Sequence, residues 1–461
     1  MGKKKILFMP GHSRSVFKHG MVGEVAKRLL DNEDYEVYYL DCNNAIKTPC
    51  GLHTTRSLFY CKKCVGKCIA LSKMCGLKDE NILKMQKYKA PKFPDFDTIQ
   101  NLIDFDYEGY NYGLSPASCV MSLTRDYAFD IKKWQKFIKK YLTTEYIIFK
   151  NLERLYAEYK FDEIHTFNGR MTSMYPCVSF AKKHNIPYVV YERGSNLNKL
   201  RTIYNDVPHN FYNTKKDIAE YWAKAPDNKN ELAEKWFNER RAGKYQAIGS
   251  FTKDQIKDLL PKNYDFDKTN IVIFNSSIDE VYAFDSWKHP FANSENEVLA
   301  QLFEHYKDDS SKHFYLRIHP NLTPAKKNKT TQIRELDALK GKYNNVTIIE
   351  PDEKIDTYAM IDAADKVLTT YSTAGCEATF WGTTAIFGGK TVYEDLDCAY
   401  KASSLEEIIK LLDDDSLQPK PKESAYPLGY YYQVYGDEYK FFKAETHHKG
   451  TFMGLLLDEK R

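Results

Sequence analysis

The stretch VLTTYSTAGCEATFWGTTAIFGG, residues 367–389, decides the fold class. An apolar run ends in a cluster of hydroxyls, a helix-like segment with one carboxylate follows, and a second apolar run ends in Gly-Gly. Strand, loop, helix, strand is the repeating unit of a parallel sheet, and such sheets bind ligands beyond the carboxyl ends of their strands. Tyr371, Ser372 and Thr373 lie in that loop. Helix-start N–H groups and the helix dipole favour an anion there, and the hydroxyls add donors. The same two small hydroxyls also fit a plain N-cap. Glu377 falls on the first turn, where a carboxylate suits the dipole and matches the diol of a ribose. Gly375 and Gly382 allow close approach or end the helix.

The same alternation extends in both directions. KKILFMPG, a helix-periodic segment and YEVYYLDC open the chain as strand, helix and strand, without the G-x-G-x-x-G fingerprint of dinucleotide folds. FDEIHTFNGR, MTSMYPCVSFAKKHN and IPYVVYERGS repeat the pattern. Residues 43–125 read as a long irregular stretch, whereas 127–160 and 214–242 read as charged helices. Near residue 250 the pattern starts afresh with TNIVIFNSSIDE, then KHFYLRIHPN, NVTIIEP and KVLTTYS. The expectation is α/β, with two Rossmann-like doubly wound domains facing a central cleft. Residues 1–250 form the first, with a Cys-rich insertion at about 42–75; residues 251–430 form the second. A Tyr-rich tail, 431–461, packs back on the first.

The 461 residues suit two or three domains, and 43% hydrophobic with 28% charged residues is ordinary for a globular protein. A net charge of +4 gives no electrostatic demand for a nucleic-acid partner. The Lys clusters at 3–5, 132–140 and 419–422 read as solvated faces, with contact to anionic lipid as the second reading. The start MGKKKILFMPG has too short an apolar run for a secretory signal, and nothing approaches the roughly 20 apolar residues of a membrane span. The expected location is cytoplasmic, at most peripheral to the membrane or to a polysaccharide assembly complex.

Three polar loops fall on one edge of the second sheet. LRIHPN places His319 directly after an apolar strand that Pro320 ends, with Arg317 alternating along it. A histidine there donates to a phosphate oxygen. FNSSIDE adds Asn275, Ser276 and Ser277. Together with Ser372 and Thr373 these describe a nucleotide phosphate pocket.

The run from His319-Pro320-Asn321 through IDTYAMIDAADKVLTTYSTAGCEATFWGTTAIFGG resembles the donor half of bacterial capsule and surface-polysaccharide glycosyltransferases with the GT-B architecture. Its His-Pro and Ser/Thr helix start look like those of capsule Kdo transferases and related sialyltransferases. FNGR…YVVYERGS is similar to the Glu-x-Gly region of that group's first half. The resemblance covers about residues 160–390 and the start of the chain. It implies transfer of a sugar from a CMP-, UDP- or GDP-linked donor to a saccharide or glycolipid acceptor of a capsule, O-antigen or lipopolysaccharide. In the first half, PGHSRS then offers His12 and Arg14, FNGR offers Asn168 and Arg170, and YERGS offers Glu192 and Arg193. Glu192 or His12 would take the acceptor proton, and the arginines would hold acidic groups. No D-x-D pair stands in a suitable context, so catalysis without a metal cofactor is expected. The alternatives are a CDP-glycerol-type polyol-phosphate transferase, a sugar 2-epimerase of the same architecture, or a non-catalytic nucleotide-sugar-binding subunit.

Six cysteines fall between 42 and 75, among them the C-x-x-C pair of CKKCVGKC. That spacing chelates tetrahedral metals. The expected structural zinc ligands are Cys50, Cys61, Cys64 and Cys68, with Cys42 and Cys75 as alternates. An iron–sulfur cluster is the second choice, and packed thiols without metal are the bland reading.

Overall fold

A computed structural model describes residues 2–10, 15–46, 50, 58–244, 252–279 and 281–458. The chain divides into two compact units. One comprises residues 1–123, 129–209 and 436–461; the other comprises 124–128 and 210–435.

The second unit is built on six parallel strands. In spatial order they are Val346–Ile349, Lys312–Arg317, Thr269–Phe274, Lys366–Thr369, Thr384–Phe387 and Tyr400–Lys401. Numbered along the unit this is 3-2-1-4-5-6, the doubly wound order of Rossmann folds. The central strands carry apolar runs in their middles, such as Ile271–Phe274 and Phe314–Leu316, because both faces are covered. Val272, Phe274, Val367 and Phe387 pack on one side with the helices Thr357–Ala363 and Ala374–Phe380. Ile271, Ile273, Leu368 and Ile386 pack on the other with Glu295–His305 and Leu405–Asp413. The order reverses between Thr269–Phe274 and Lys366–Thr369, so the chain leaves their carboxyl ends in opposite directions.

The first unit carries seven strands. Ile82–Lys84, Tyr35–Asp41, Lys4–Met9, Glu163–Phe167 and Tyr188–Arg193 are parallel and follow the same 3-2-1-4-5 order. Lys199–Tyr204 and Asp437–Glu438 extend the sheet antiparallel. The doubly wound class read from the sequence is therefore present in both units.

Two boundaries differ from the sequence reading. The charged helices Phe211–Ala223 and Lys229–Arg241 belong to the second unit, so the division falls at 209/210 rather than near 250. Their apolar stripes are covered by the helix Tyr426–Val434: Trp236 stacks on Tyr432 with ring centroids 5.3 Å apart, and Gly429 leaves room for the Phe237 ring. The stretch 43–125 is also less irregular than expected, since it contains the helices Leu58–Met74 and Leu114–Thr124.

The tail from Gly436 completes the first unit. After Asp437–Glu438 it forms a three-stranded antiparallel sheet, Phe442–Thr446, Lys449–Phe452 and Leu455–Asp458, against the helix Val16–Leu30. A Cβ on Gly20 would lie 2.2 Å from the Phe442 ring, so only glycine permits this approach. The buried Glu24 carboxylate accepts the backbone N–H groups of Lys440, Phe441 and Phe442 at 2.8–3.0 Å. Among the described residues no helix is long and apolar enough to cross a membrane.

Candidate functional site

A cavity of about 290 Å³ opens at the carboxyl ends of the second unit's strands, at the point where strand order reverses. Asn275, Ser276, Ser277, Arg317, His319, Pro320, Tyr371, Ser372, Thr373 and Glu377 all line it. Three separate loops of the sequence reading thus meet at one place.

Each loop is fixed by its own local chemistry. Asn275 ends the first strand, and its Oδ1 accepts the His319 N–H at 2.7 Å, which ties the first two loops together. Pro320 starts a short turn in which Nδ1 of His319 accepts the Asn321 N–H at 3.1 Å. With Nδ1 an acceptor, the neutral ring carries its proton on Nε2. Burial, and then the Arg240 and Arg317 charges, push the His319 pKa down to about 4, with Asp279 opposing. The imidazole is therefore a neutral N–H donor at neutral pH. Ser372 Oγ accepts the Ala374 N–H at 3.2 Å, and Thr373 Oγ1 donates to Glu377 Oε1 at 2.9 Å. The helix Ala374–Phe380 has only seven residues, so side chains rather than a long dipole set the field here.

Two expected residues take structural positions. Gly375 does not line the cavity; a Cβ there would lie 2.3 Å from the Tyr393 hydroxyl, which bonds Thr369 Oγ1 and the Ser372 carbonyl. Ser277 donates to Asp279, which in turn accepts from Arg125 at 3.0 Å. Glu377 lines the cavity, but its carboxylate is already engaged. Besides Thr373 it accepts from the Tyr358 hydroxyl at 2.6 Å and from Arg240 Nε at 3.3 Å.

Arg240 and Glu295 were not foreseen. Arg240 lies in the last turn of the helix Lys229–Arg241, which reads from the sequence only as charged; its guanidinium lies over the Trp236 ring at 5.0 Å, and the residue lines the cavity. Glu295 is fully buried behind the first loop, accepting the Ser276 N–H at 3.2 Å. Burial raises its pKa to about 8, against the opposing pull of Ser276 and Thr370. The only sequence signal for Glu295 is its place in the first turn of a helix after Ser294.

The cavity is rich in donors. Arg240 Nη1, Arg317 Nε and Asn275 Nδ2 are buried and have no hydrogen-bond partner among the described residues. Native proteins leave few such atoms, and each asks for a ligand or another explanation. Arg317 is otherwise held by the carbonyls of Glu350 and Glu353, and burial lowers its pKa to about 10, short of neutrality at physiological pH. Two guanidinium groups and a neutral imidazole donor, set against one carboxylate, make this a place for an anion.

In the first unit, Asn168 Nδ2 donates to Glu192 Oε2 at 2.7 Å across the carboxyl ends of adjacent strands. Asn168 and Gly169 hold this turn at positive φ, 55° and 69°. The neighbouring Arg193 N–H donates to Glu192 Oε1 at 3.0 Å. Arg170 is buried and bonds the hydroxyls of Ser118 and Ser122 at 2.9 and 2.8 Å. His12 and Arg14 lie outside the described residues.

None of the ten cysteines is disulfide-bonded. Cys68 and Cys75 are buried in the first unit's core with Val25 and Tyr39. Cys42 instead stands close enough to Cys61 and Cys64 for their charges to act on its thiol, and Cys50 is close to all three. Among the described residues no three Cys, His, Asp or Glu side chains are placed to close around one ion.

No protein-family model and no curated protein matches the sequence. Among solved structures the chain is similar to the Thermosulfurimonas dismutans KpsC beta Kdo 2,4 transferase, at 11% identity over 59% of this chain and 80% of that one, with TM-score 0.38. It is similar to the UDP-GlcNAc 2-epimerase of Neisseria meningitidis bound to UDP-GlcNAc, at 12% identity over 92% and 98%, with TM-score 0.27. It is also similar to CalG4, the calicheamicin glycosyltransferase, at 12% identity over 94% and 95%, with TM-score 0.28. Likenesses this distant decide no activity, and the fold assignment rests on the strand order itself.

Proposed function

We propose that the protein is a glycosyltransferase whose second unit holds the phosphate of a nucleotide-linked sugar. The observation that carries this reading is the convergence of Arg240, Arg317 and Asn275, each with an unused buried donor, on one cavity at the strand-order reversal. The His-Pro and Ser/Thr motifs that resemble surface-polysaccharide transferases fall in the same cavity. On that resemblance the acceptor is a growing surface polysaccharide or glycolipid. Trp287 and Tyr371 give the cavity aromatic walls suited to a nucleoside.

The chemistry follows from the donor set. As the acceptor oxygen attacks the anomeric carbon, the bond to the phosphate oxygen breaks and negative charge gathers on the leaving nucleotide. Donors already fixed in place stabilise that charge without reorganising. Nε2–H of His319 and the guanidinium groups supply them, so the leaving group calls for no divalent cation. In the first unit, Glu192, oriented by Asn168, is the base that takes the acceptor proton.

Calorimetric titration with CMP, CDP, UDP and GDP tests the donor site. One of them should bind in the presence of EDTA, and His319→Ala should weaken it about 10- to 100-fold, the worth of one hydrogen bond to a charged group. Failure of all four to bind, or unchanged affinity in His319→Ala, would refute the phosphate assignment.

A further inference from the structure

Two of the hydroxyls that line the cavity have their protons committed to carboxylates. Ser277 Oγ donates to Asp279 Oδ1 at 2.5 Å, and Thr373 Oγ1 donates to Glu377 Oε1 at 2.9 Å. Both carboxylates are buried, at 1% and 4% exposure, and each meets an arginine. Arg125 Nη1 stands 3.0 Å from Asp279, and Arg240 Nε stands 3.3 Å from Glu377. The same relay of arginine, carboxylate and hydroxyl therefore occurs twice, on two loops at the strand-order reversal. An ionised carboxylate only accepts, which fixes the direction of both bonds. A hydroxyl has one proton and two lone pairs, so Ser277 and Thr373 are left able only to accept from a ligand. The carboxylate behind each one polarises it and strengthens it in that role. Ser372 is the reverse case, since its Oγ accepts the Ala374 N–H and keeps its proton for a ligand.

We propose, on the nucleotide reading of the cavity, that Ser277 and Thr373 select the ligand by accepting hydrogen bonds from its ribose hydroxyls. Arg240, Arg317, Asn275 and His319 hold its phosphate. A phosphate brings acceptor oxygens, so two hydroxyls that can only accept do not serve it. They serve the part of a nucleotide that carries O–H groups. Tyr371, Ser372 and Thr373 are consecutive, so an aromatic wall, a donor and an acceptor fall within the span of one nucleotide. The ribose role expected of the Glu377 carboxylate passes to Thr373, because Glu377 is already engaged by Tyr358, Arg240 and Thr373 itself. Asp279 and Glu377 are positioning residues that act through the two hydroxyls. A site built this way rejects a ligand that lacks the O–H groups, because its polar atoms are then left unpaired.

Calorimetric titration of the full chain with a ribonucleotide and with its 2′,3′-dideoxy form tests this, using whichever of CMP, CDP, UDP and GDP binds most tightly. The wild type should prefer the ribonucleotide about 10- to 100-fold, the worth of two hydrogen bonds. In Ser277→Ala/Thr373→Val the preference should fall below about threefold, whereas Thr373→Ser should retain it. A merely structural role would weaken both ligands alike and leave their ratio in place. If the double variant does not fold, Ser277→Ala and Thr373→Val should each remove about half of the preference on a logarithmic scale. If no nucleotide binds the wild type, the nucleotide reading falls and the ribose contacts fall with it. If a ribonucleotide binds but the wild type takes the dideoxy form equally well, or the variants keep the full preference, the ribose contacts alone are overturned.

Discussion

Glu377 is nearly buried, and Thr373, Tyr358 and Arg240 converge on its carboxylate. Its negative charge keeps Arg240 in the cavity: burial opposes the guanidinium charge, and Glu377 and Tyr358 restore it. Arg240→Gln should therefore act twice, weakening nucleotide binding and stranding a buried carboxylate. Breaking such a pair costs about 3–5 kcal/mol, and Arg240→Gln/Glu377→Gln should recover part of that in urea denaturation while nucleotide affinity stays low. The sequence made His319, Asn275 and Ser372 legible because each stands within three residues of the end of an apolar strand. Arg240 was not legible, because it meets Glu377 across 137 residues and lies in the last turn of a helix that reads only as charged. Nor does local spacing separate a glycine that spares a ligand from one that spares Tyr393, as Gly375 does.

The strands of the second sheet were readable because burial on both faces leaves continuous apolar runs. Short or antiparallel strands such as Ile82–Lys84 and Lys199–Tyr204 carry no such signal, and the helix Leu58–Met74 was masked by its lysines and cysteines. The helix Glu295–His305 shows what else an element brings. Its first residue locks the loop after Thr269–Phe274 through Ser276, and the Thr370 hydroxyl of the fourth strand's loop reaches the same carboxyl. The folded pKa of Glu295, about 8, lies above its unfolded value of about 4.5. The stability it contributes is thus complete below about pH 4.5 and is lost as the pH rises through about 8. Thermal denaturation should show wild type losing stability between about pH 4.5 and pH 8, and Glu295→Gln losing less over the same window.

Across the whole molecule the chain interleaves. Residues 124–128 leave the first unit to join the second, where Asp126 accepts from Thr331 and Arg125 pairs with Asp279, and residues from 436 onward return to finish the first. No periodicity foretells such pairings, because they match surfaces rather than patterns. Ending the chain before Gly436 should uncover Phe442's and Phe452's packing sites and leave Glu24 without its three backbone donors. Loss of two buried aromatic side chains and these bonds should lower the melting temperature by about 10 °C or more, or prevent soluble expression.

That return of the chain has a consequence in time. A ribosome must make residues 210–435 before it reaches the strands that close over Gly20 and Gly23. At about 5–20 residues per second this interval is on the order of 10–45 s. Throughout it the nascent first unit displays an apolar helix face with the Glu24 carboxylate awaiting its partners. The second unit, synthesised in nearly one run, has the means to fold before the first is complete, so the order of translation favours assembly from the middle of the chain outward.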